Sequence, residues 1–200
     1  MFKWYLKATV CFAFLEDWDP EEPAFYGVRW WTRGWTLREL VATESIIFYG
    51  KTWRIRGDKS SLCTEISRIS RIDKHVLQQQ EELSTLPVAV RMSWASNRKT
   101  TREEDIAYSL MGIFDINMPM LYGEGPKAFL RLQEEIIKAT SDMSLFAWAA
   151  APDCEQEYMG ILAPSSREFM NTSRLYPSWH YGSLQPSISI TIANQDVACN

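Results

Sequence analysis

Two short apolar runs constrain the fold of this chain more than any other feature. Residues 9–15 read TVCFAFL, and residues 46–49 read IIFY. Neither run alternates apolar with polar residues, which is typical of strands covered on both faces, as in a parallel sheet. A helical pattern that fades near Ala42 separates the two runs, so we predict a β-α-β unit of an α/β fold. After Gly50, residues 53–56 are predicted to add a short edge strand.

Helices dominate the pattern after Gly57. Apolar spacing predicts further helices at about 2–8, 60–70, 73–83, 88–96 and 126–140. Another helix is predicted to open at Thr100 or Thr101, because the pairs Thr100/Glu103 and Thr101/Glu104 both have capping-box spacing. Its apolar side is expected to pack on helix 126–140.

The last part of the chain has a weaker pattern. Residues 144–148 are predicted as a strand or an extended cover, and residues 165–170 as a short helix. Residues 187–193 alternate isoleucine with polar or small residues, which predicts a half-buried strand. We therefore divide the chain into an α/β part (1–57), a mainly helical part (58–148) and an extension with a short β tail (149–200).

Charge and hydropathy exclude two classes of partner. The net charge is −4, and the basic cluster of Arg98, Lys99 and Arg102 is followed at once by three acids at 103–105. Nucleic-acid binding requires a broad basic surface, which this sequence lacks. No apolar stretch reaches the length of a transmembrane helix, and the first residues are charged too early for a secretory signal.

The cysteines indicate a cytoplasmic protein without a metal site. Four cysteines, at positions 11, 63, 154 and 199, are scattered without a C-x-x-C pair, which predicts reduced thiols. The two histidines, His75 and His180, do not neighbour any cysteine, so structural zinc is not expected. His75 stands among polar residues and is predicted to lie on a solvated helix face.

Trp35 and Glu39 form the most informative pair in the sequence. They stand four residues apart in RGWTLRE, residues 33–39, so a helix places a flat apolar ring and a carboxylate on one face. Such a W-x-x-x-E pair is suited to holding a nucleotide sugar or an aromatic leaving group and to stabilising positive charge beside it. Glu39 also has capping-box spacing from Thr36, which predicts instead a structural bond to the Thr36 amide.

Two interpretations are open for the neighbouring residues as well. Trp30, Trp31 and Trp35 form either a stacking platform or, as such clusters usually do, part of the hydrophobic core. Arg33 stands where a side chain can bind a phosphate near a helix N-terminus. The alternative for Arg33 is a surface ion pair with the acidic loop at residues 16–22.

Six collinear blocks of the chain resemble the fungal heterokaryon-incompatibility (HET) domain family, in particular those members that continue into NACHT and WD-repeat regions. The blocks are MFKWY at 1–5, CFAFL at 11–15, RGWTLRE at 33–39, RMSWAS at 91–96, TTREEDIAY at 100–108 and MPMLYGEG at 118–125. Two departures stand out. The family usually has Gln where this chain has Arg38, and its domain begins upstream with a strand, a helix and a second strand that are not in this sequence.

The resemblance implies a role in non-self recognition and programmed cell death in filamentous fungi. HET domains resemble TIR domains, in which the glutamate of a W-x-x-x-E helix is essential for NAD cleavage. The resemblance therefore implies Glu39 as the catalytic residue and NAD as a substrate without any cofactor. We predict Trp35 and Arg33 as substrate-binding residues from their own chemistry, a ring beside Glu39 and a cation for a phosphate. It also implies that residues 1–57 are the second half of a TIR-like domain and that the chain is a truncated copy, inactive by itself.

The chemistry of NAD cleavage suits a single carboxylate. Nicotinamide leaves a cation as a neutral ring and needs no proton, unlike the leaving oxygen in ordinary glycoside hydrolysis. One carboxylate near the ribose can then stabilise the developing positive charge. The alternative class is a non-enzymatic signalling module that acts by self-association or by binding the NACHT or WD-repeat regions of a longer protein.

Overall fold

A three-stranded mixed sheet forms the first part of the fold. The computed structural model describes residues 2–19, 25–150, 160–173 and 175. The strands lie in the order β1 (Cys11–Phe14), β2 (Ile46–Tyr49) and β3 (Ile55–Asp58). β1 runs parallel to β2 and is connected to it through helix α2 (Thr36–Ala42), whereas β3 runs antiparallel to β2. The predicted α/β fold, its β-α-β unit and its edge strand are therefore confirmed.

Most of the predicted helices are present, and some are shorter than expected. The other α-helices of the described residues are α1 (Phe2–Leu6), α3 (Cys63–Ser70), α4 (Lys74–Leu77), α5 (Val88–Ser93), α6 (Glu104–Leu110) and α7 (Lys127–Ala139). Short 3-10 helices lie at Phe25–Gly27, Arg29–Thr32, Leu83–Thr85, Met143–Phe146 and Ser166–Phe169. The last of these fits the predicted helix at 165–170, while the strand predicted at 187–193 lies outside the described residues.

Of the two alternatives predicted for residues 144–148, the strand is wrong, and Asp142 explains why. Asp142 Oδ1 accepts a hydrogen bond from the amide of Ser144 at 2.8 Å and so caps the 3-10 helix that replaces the strand. Its other oxygen accepts from the amide of Val88 at 2.7 Å, at the start of α5. One carboxylate therefore serves the first turns of two helices that are 54 residues apart in the sequence.

The two faces of the sheet are covered very differently. Ala13, Ile46 and Phe48 lie in the core and are buried. Phe12 and Phe14 point the opposite way, and 62% and 39% of their surfaces are exposed. The prediction that β1 is covered on both faces is therefore wrong for the described residues. An apolar run shows that a strand can be buried, but it does not show which element lies on its second face.

Helix α6 begins later than predicted, and neither capping box forms. Thr100 Oγ1 donates to the carbonyl of Arg102 at 2.5 Å, and the helix starts only at Glu104. The buried carboxylate of Glu104 accepts hydrogen bonds from the amides of Gly123 at 2.7 Å and Gly125 at 3.1 Å. The predicted local capping bonds are thus replaced by hydrogen bonds between residues distant in sequence. These bonds hold the turn at residues 123–125 against α6.

Helix α7 supplies a continuous apolar face to the core and packs against α6, as predicted. Leu132 and Ile136 are buried on this face. Gln133, also buried, donates to the carbonyl of Ala163 at 2.8 Å and accepts from the Ala163 amide at 3.0 Å. These bonds tie residues 160–173 to the helices, and the buried apolar side chains of the described segments form one hydrophobic core.

Candidate functional site

Glu39 lies on the middle of α2 and faces α1. The hydroxyl of Tyr5 donates a hydrogen bond to Glu39 Oε1 at 3.2 Å, and Glu39 is half-buried. Burial raises the pKa of Glu39, whereas the Tyr5 hydrogen bond and the charges of Arg38, Arg33 and Arg98 act in the opposite direction. The carboxylate is therefore held away from bulk water, within the influence of three guanidinium groups.

The structural alternative for Glu39, a capping box with Thr36, is wrong. The N-cap residue of α2 is Trp35, and it makes no side-chain cap. Thr36 Oγ1 donates to the carbonyl of Trp30 at 2.6 Å and lies 2.9 Å from the carbonyl of Arg33. Glu39 is thus bonded to a helix that lies 34 residues earlier in the sequence, and not to the start of its own helix.

Trp35 contacts a cation of its own helix. The guanidinium of Arg38 lies 4.2 Å from the centre of the Trp35 ring and 5.8 Å from the centre of the Tyr5 ring. Burial lowers the pKa of Arg38, while the nearby Tyr5 and Glu39 act against that shift. One face of the Trp35 ring is therefore occupied by the side chain at which this chain departs from the family pattern.

Trp30 and Trp31 belong to the core, which confirms the core interpretation for these two residues. Both are buried, and their rings meet edge to face with centres 4.8 Å apart. Each ring also contacts Phe48 of β2, at 5.7 and 6.2 Å. Trp31 Nε1 donates to the carbonyl of Phe25 at 2.6 Å, which satisfies its buried N–H.

Arg98 holds the start of α2 to the helical part of the chain. Its side chain is buried, and Nη1 donates to the carbonyl of Arg33 at 2.8 Å and to Thr36 Oγ1 at 2.9 Å. Nε donates to the carbonyl of Trp94 at 3.2 Å. Burial lowers the pKa of Arg98 to about 9, and the charge of Glu39 acts against that shift. Sequence reasoning missed this role, because the charge pattern places Arg98 in a solvated basic cluster.

A backbone bridge fixes Arg33 beside Lys99. The amide of Gly34 donates to the carbonyl of Lys99 at 2.9 Å, and the amide of Lys99 donates to the carbonyl of Thr32 at 2.6 Å. Arg33 and Lys99 are thereby paired as in a parallel sheet. A Cβ at position 34 would lie 2.4 Å from the methyl group of Thr100, so glycine leaves room for the Thr100 side chain beside this bridge.

A cleft of about 510 Å³ opens at the carboxyl end of β1. Phe14 and Trp30 line its apolar part, and Arg33 and Lys99 line its cationic side. Glu39 is not among the residues that line this cleft. The structure therefore separates two of the predicted site residues, because Arg33 borders the cleft while Glu39 faces α1.

The acidic loop pairs with Arg29, so the predicted ion pair with Arg33 is wrong for the described residues of that loop, 16–19. Arg29 forms an ion pair with Glu16. The Arg29 amide donates to Asp17 Oδ2 at 2.8 Å, and its guanidinium Nε lies 3.4 Å from the same oxygen. These three residues border the same cleft as Arg33 and Lys99.

The remaining candidate residues build no site in the part of the chain that the structure describes. No group of three or more His, Cys, Asp or Glu side chains is placed there to hold a metal ion. Cys11 and Cys63 are free thiols, and burial raises the pKa of Cys11. His75 is exposed, with Nδ1 2.9 Å from Gln80 Oε1. None of the described helices combines the length and the apolar character needed to cross a membrane.

Comparisons with known proteins find one curated relative of this chain and one matching family model. Vegetative incompatibility protein HET-E-1 of Podospora anserina is 42% identical to this chain over 149 residues, which cover 69% of the chain and 11% of that protein. The chain thus spans about a tenth of the length of this relative. The model of a domain of unknown function, DUF8212, matches residues 127–180, which include α7. No solved structure matches the chain. The chain is therefore related to one segment of a vegetative incompatibility protein.

Proposed function

We propose that the chain is part of a cell-death effector that acts in vegetative incompatibility, the rejection of non-self by filamentous fungi. The observation that carries this proposal is the 42% identity to HET-E-1 over 69% of the chain. In this proposal the segment works in the cytoplasm, inside a longer protein with NACHT and WD-repeat regions.

An exchange of segments tests this role. The aligned segment of HET-E-1 is replaced by the segment of this chain, and the incompatibility reaction of the chimeric protein is scored in hyphae. We expect the chimera to react as the unmodified protein does, because homologous segments keep the same fold. A chimera that accumulates normally but gives no reaction contradicts the proposal.

The activity that we propose for the complete domain is cleavage of the nicotinamide–ribose bond of NAD. Glu39 supplies the carboxylate, which stabilises the positive charge that develops on the ribose as nicotinamide leaves. Water then adds to the same ribose carbon and loses a proton to solvent, which gives ADP-ribose. The half-buried position of Glu39 supports this role, since a carboxylate acts more strongly on a nearby charge when water is partly excluded. In the reaction, a ribose hydroxyl takes the place of Tyr5 as the donor to Glu39. Trp35 packs beside the bound ligand, and Arg33 binds a phosphate.

The second candidate function is self-association without catalysis, and the open face of the sheet favours it. Phe12, Trp53 and Ile55 expose more than 60% of their surfaces on this part of the sheet, and the rings of Phe14 and Trp53 stack with centres 4.2 Å apart. Among the described residues, β1 pairs with β2 alone, so its other edge is open. An open edge can pair with the same edge of a second copy around a two-fold axis. The partner in this candidate is therefore a second copy of the chain.

Sedimentation of the chain and of Phe12→Ser tests self-association. We expect the wild-type chain to form dimers at micromolar concentration and Phe12→Ser to weaken them about tenfold or more, because the variant removes a large apolar contact. Trp4→Ser is the matched control, since Trp4 is also exposed but lies on α1, away from the strands. A wild-type chain that stays monomeric, or equal dissociation by both variants, contradicts this candidate.

A further inference from the structure

The cleft at the carboxyl end of β1 has the position and size of a small-molecule site. In open α/β sheets, ligands bind outside the carboxyl ends of the strands. β1 and β2 run in parallel, and the cleft lies where the chain leaves β1 at Phe14 and Leu15. Its volume of about 510 Å³ is inside the usual range for such sites, roughly 300–1,000 Å³.

Two cations meet on one side of this cleft. Directly paired residues of neighbouring strands project their side chains to the same face, so the parallel bridge sets the side chains of Arg33 and Lys99 next to each other. Neither side chain forms an ion pair with any residue that the structure describes. Like charges in such a pair repel, and an anion bound between them removes that repulsion.

The scaffold behind these two cations is rigid. Two backbone hydrogen bonds, at 2.9 and 2.6 Å, hold the bridge together. Arg98 donates to the carbonyl of Arg33 from the buried side, at 2.8 Å. At position 34 a Cβ would lie 2.4 Å from the Thr100 methyl group, so glycine lets the Thr100 side chain pack beside the bridge. Arg33 comes from the α/β part and Lys99 from the helical part, so a ligand that binds both cations also binds both parts.

The described side chains that line the cleft carry one net positive charge. Glu16 and Asp17 line the same cleft, but both are paired with Arg29. Among the described residues of the lining, three cations stand against two carboxylates, which leaves one net positive charge, and the two cations without an ion-pair partner are Arg33 and Lys99. Phe14 and Trp30 add apolar ring surface beside this charge.

We infer that this cleft binds a phosphate-bearing nucleotide, with the phosphates between Arg33 and Lys99 and the nucleoside against the apolar part. The inference rests on the proposed function only for the identity of the natural ligand, because NAD is one member of this class. Binding does not require cleavage. Arg33 and Lys99 together make a doubly charged contact that neither residue provides by itself.

Calorimetric titration of the chain with ADP, inorganic pyrophosphate and adenosine tests the inference without testing cleavage, since ADP has no nicotinamide–ribose bond. We expect ADP to bind, and Arg33→Ala and Lys99→Ala each to weaken ADP binding by about tenfold or more. Arg68→Ala and Lys74→Ala are the matched controls, because both residues are exposed on other helices. Adenosine is expected to bind far more weakly than ADP.

Three results overturn the inference. The first is the absence of ADP binding at millimolar concentration. The second is ADP binding that neither Arg33→Ala nor Lys99→Ala weakens. The third is pyrophosphate binding as tight as that of ADP, which would mean that the nucleoside does not contribute to binding. ADP binding is measured separately from NAD cleavage. ADP binding in a protein that does not cleave NAD therefore rejects the proposed activity and leaves the cleft assignment intact.

Discussion

Replacement of Arg98 by methionine is expected to destabilise the chain by about 3 kcal/mol. The variant keeps most of the buried stem but leaves three acceptors without their donor: the carbonyls of Arg33 and Trp94, and Thr36 Oγ1. Each unsatisfied buried acceptor costs about 1–3 kcal/mol. Removal of a guanidinium whose burial already lowers its pKa to about 9 offsets part of this cost. The loss of three hydrogen bonds outweighs that gain, because methionine offers no donor to any of the acceptors.

Urea denaturation of the purified chain measures this effect directly. Arg98→Lys keeps the charge but has a single donor nitrogen, so it cannot serve the Trp94 carbonyl together with Arg33 and Thr36, and it is expected to lose somewhat less stability than Arg98→Met. Arg68→Met is the exposed control and is expected to change stability by less than about 0.5 kcal/mol. A free energy of unfolding for Arg98→Met within 1 kcal/mol of the wild-type value, with an unchanged denaturant slope, contradicts the role assigned to Arg98.

The elements that sequence reasoning predicted well are those set by local periodicity. The apolar runs at 11–14 and 46–49 become strands, and the spacing of Leu132 and Ile136 becomes the buried face of α7. These patterns depend on residues two to four positions apart, which the sequence displays directly. The parallel pairing of β1 with β2 then follows from the helix between them.

The polar contacts could not be predicted in the same way, because their partners are distant in sequence. Glu39 bonds to Tyr5 rather than to Thr36, and Glu104 bonds to the glycine turn at 123–125 rather than to Thr101. In each case the carboxylate has the spacing for a local capping bond but bonds instead to a group on another element, which packing brings close to it. The capping-box signal counts only local partners, so it cannot rank these alternatives.

The sequence did not predict the cleft, because the cleft also depends on a contact between residues that are distant in sequence. Arg33 stands in the informative RGWTLRE block, but Lys99 appears in a mixed cluster of basic and acidic residues that is typical of a solvated surface. Only the backbone bridge through Gly34 brings the two side chains together. Gly34 is the sequence feature that could have indicated this contact, because a glycine can mark a place where another backbone approaches closely.

The position of Glu39 leads to a specific expectation for the 200-residue chain. Its carboxylate already accepts a bond from Tyr5, and it lies outside the described cleft. We therefore expect this chain to show no NAD cleavage by itself. Turnover of NAD by the purified chain, abolished in Glu39→Gln, contradicts that expectation and shows that no further segment is required.

Glu39→Gln is expected to lower NAD cleavage about 10²–10³-fold in the HET-E-1 chimera that carries this segment. Glutamine keeps the size of the side chain and can still accept the Tyr5 hydrogen bond, so the fold is preserved while the negative charge is removed. The loss of one preorganised group that stabilises transition-state charge corresponds to about 3–4 kcal/mol. Glu65→Gln, on the exposed face of α3, is the matched control and is expected to leave the rate unchanged.

The pH dependence of the same reaction separates a catalytic Glu39 from a structural one. The reaction requires ionised Glu39, and burial raises the pKa of this carboxyl. As the pH falls, cleavage is therefore expected to decline at a higher pH than the ordinary glutamate pKa of about 4.3.

Cleavage that Glu39→Gln leaves unchanged would show that Glu39 takes no part in the reaction. Absence of cleavage in a wild-type chimera that still gives the incompatibility reaction favours the self-association candidate, in which the open sheet face carries the signal.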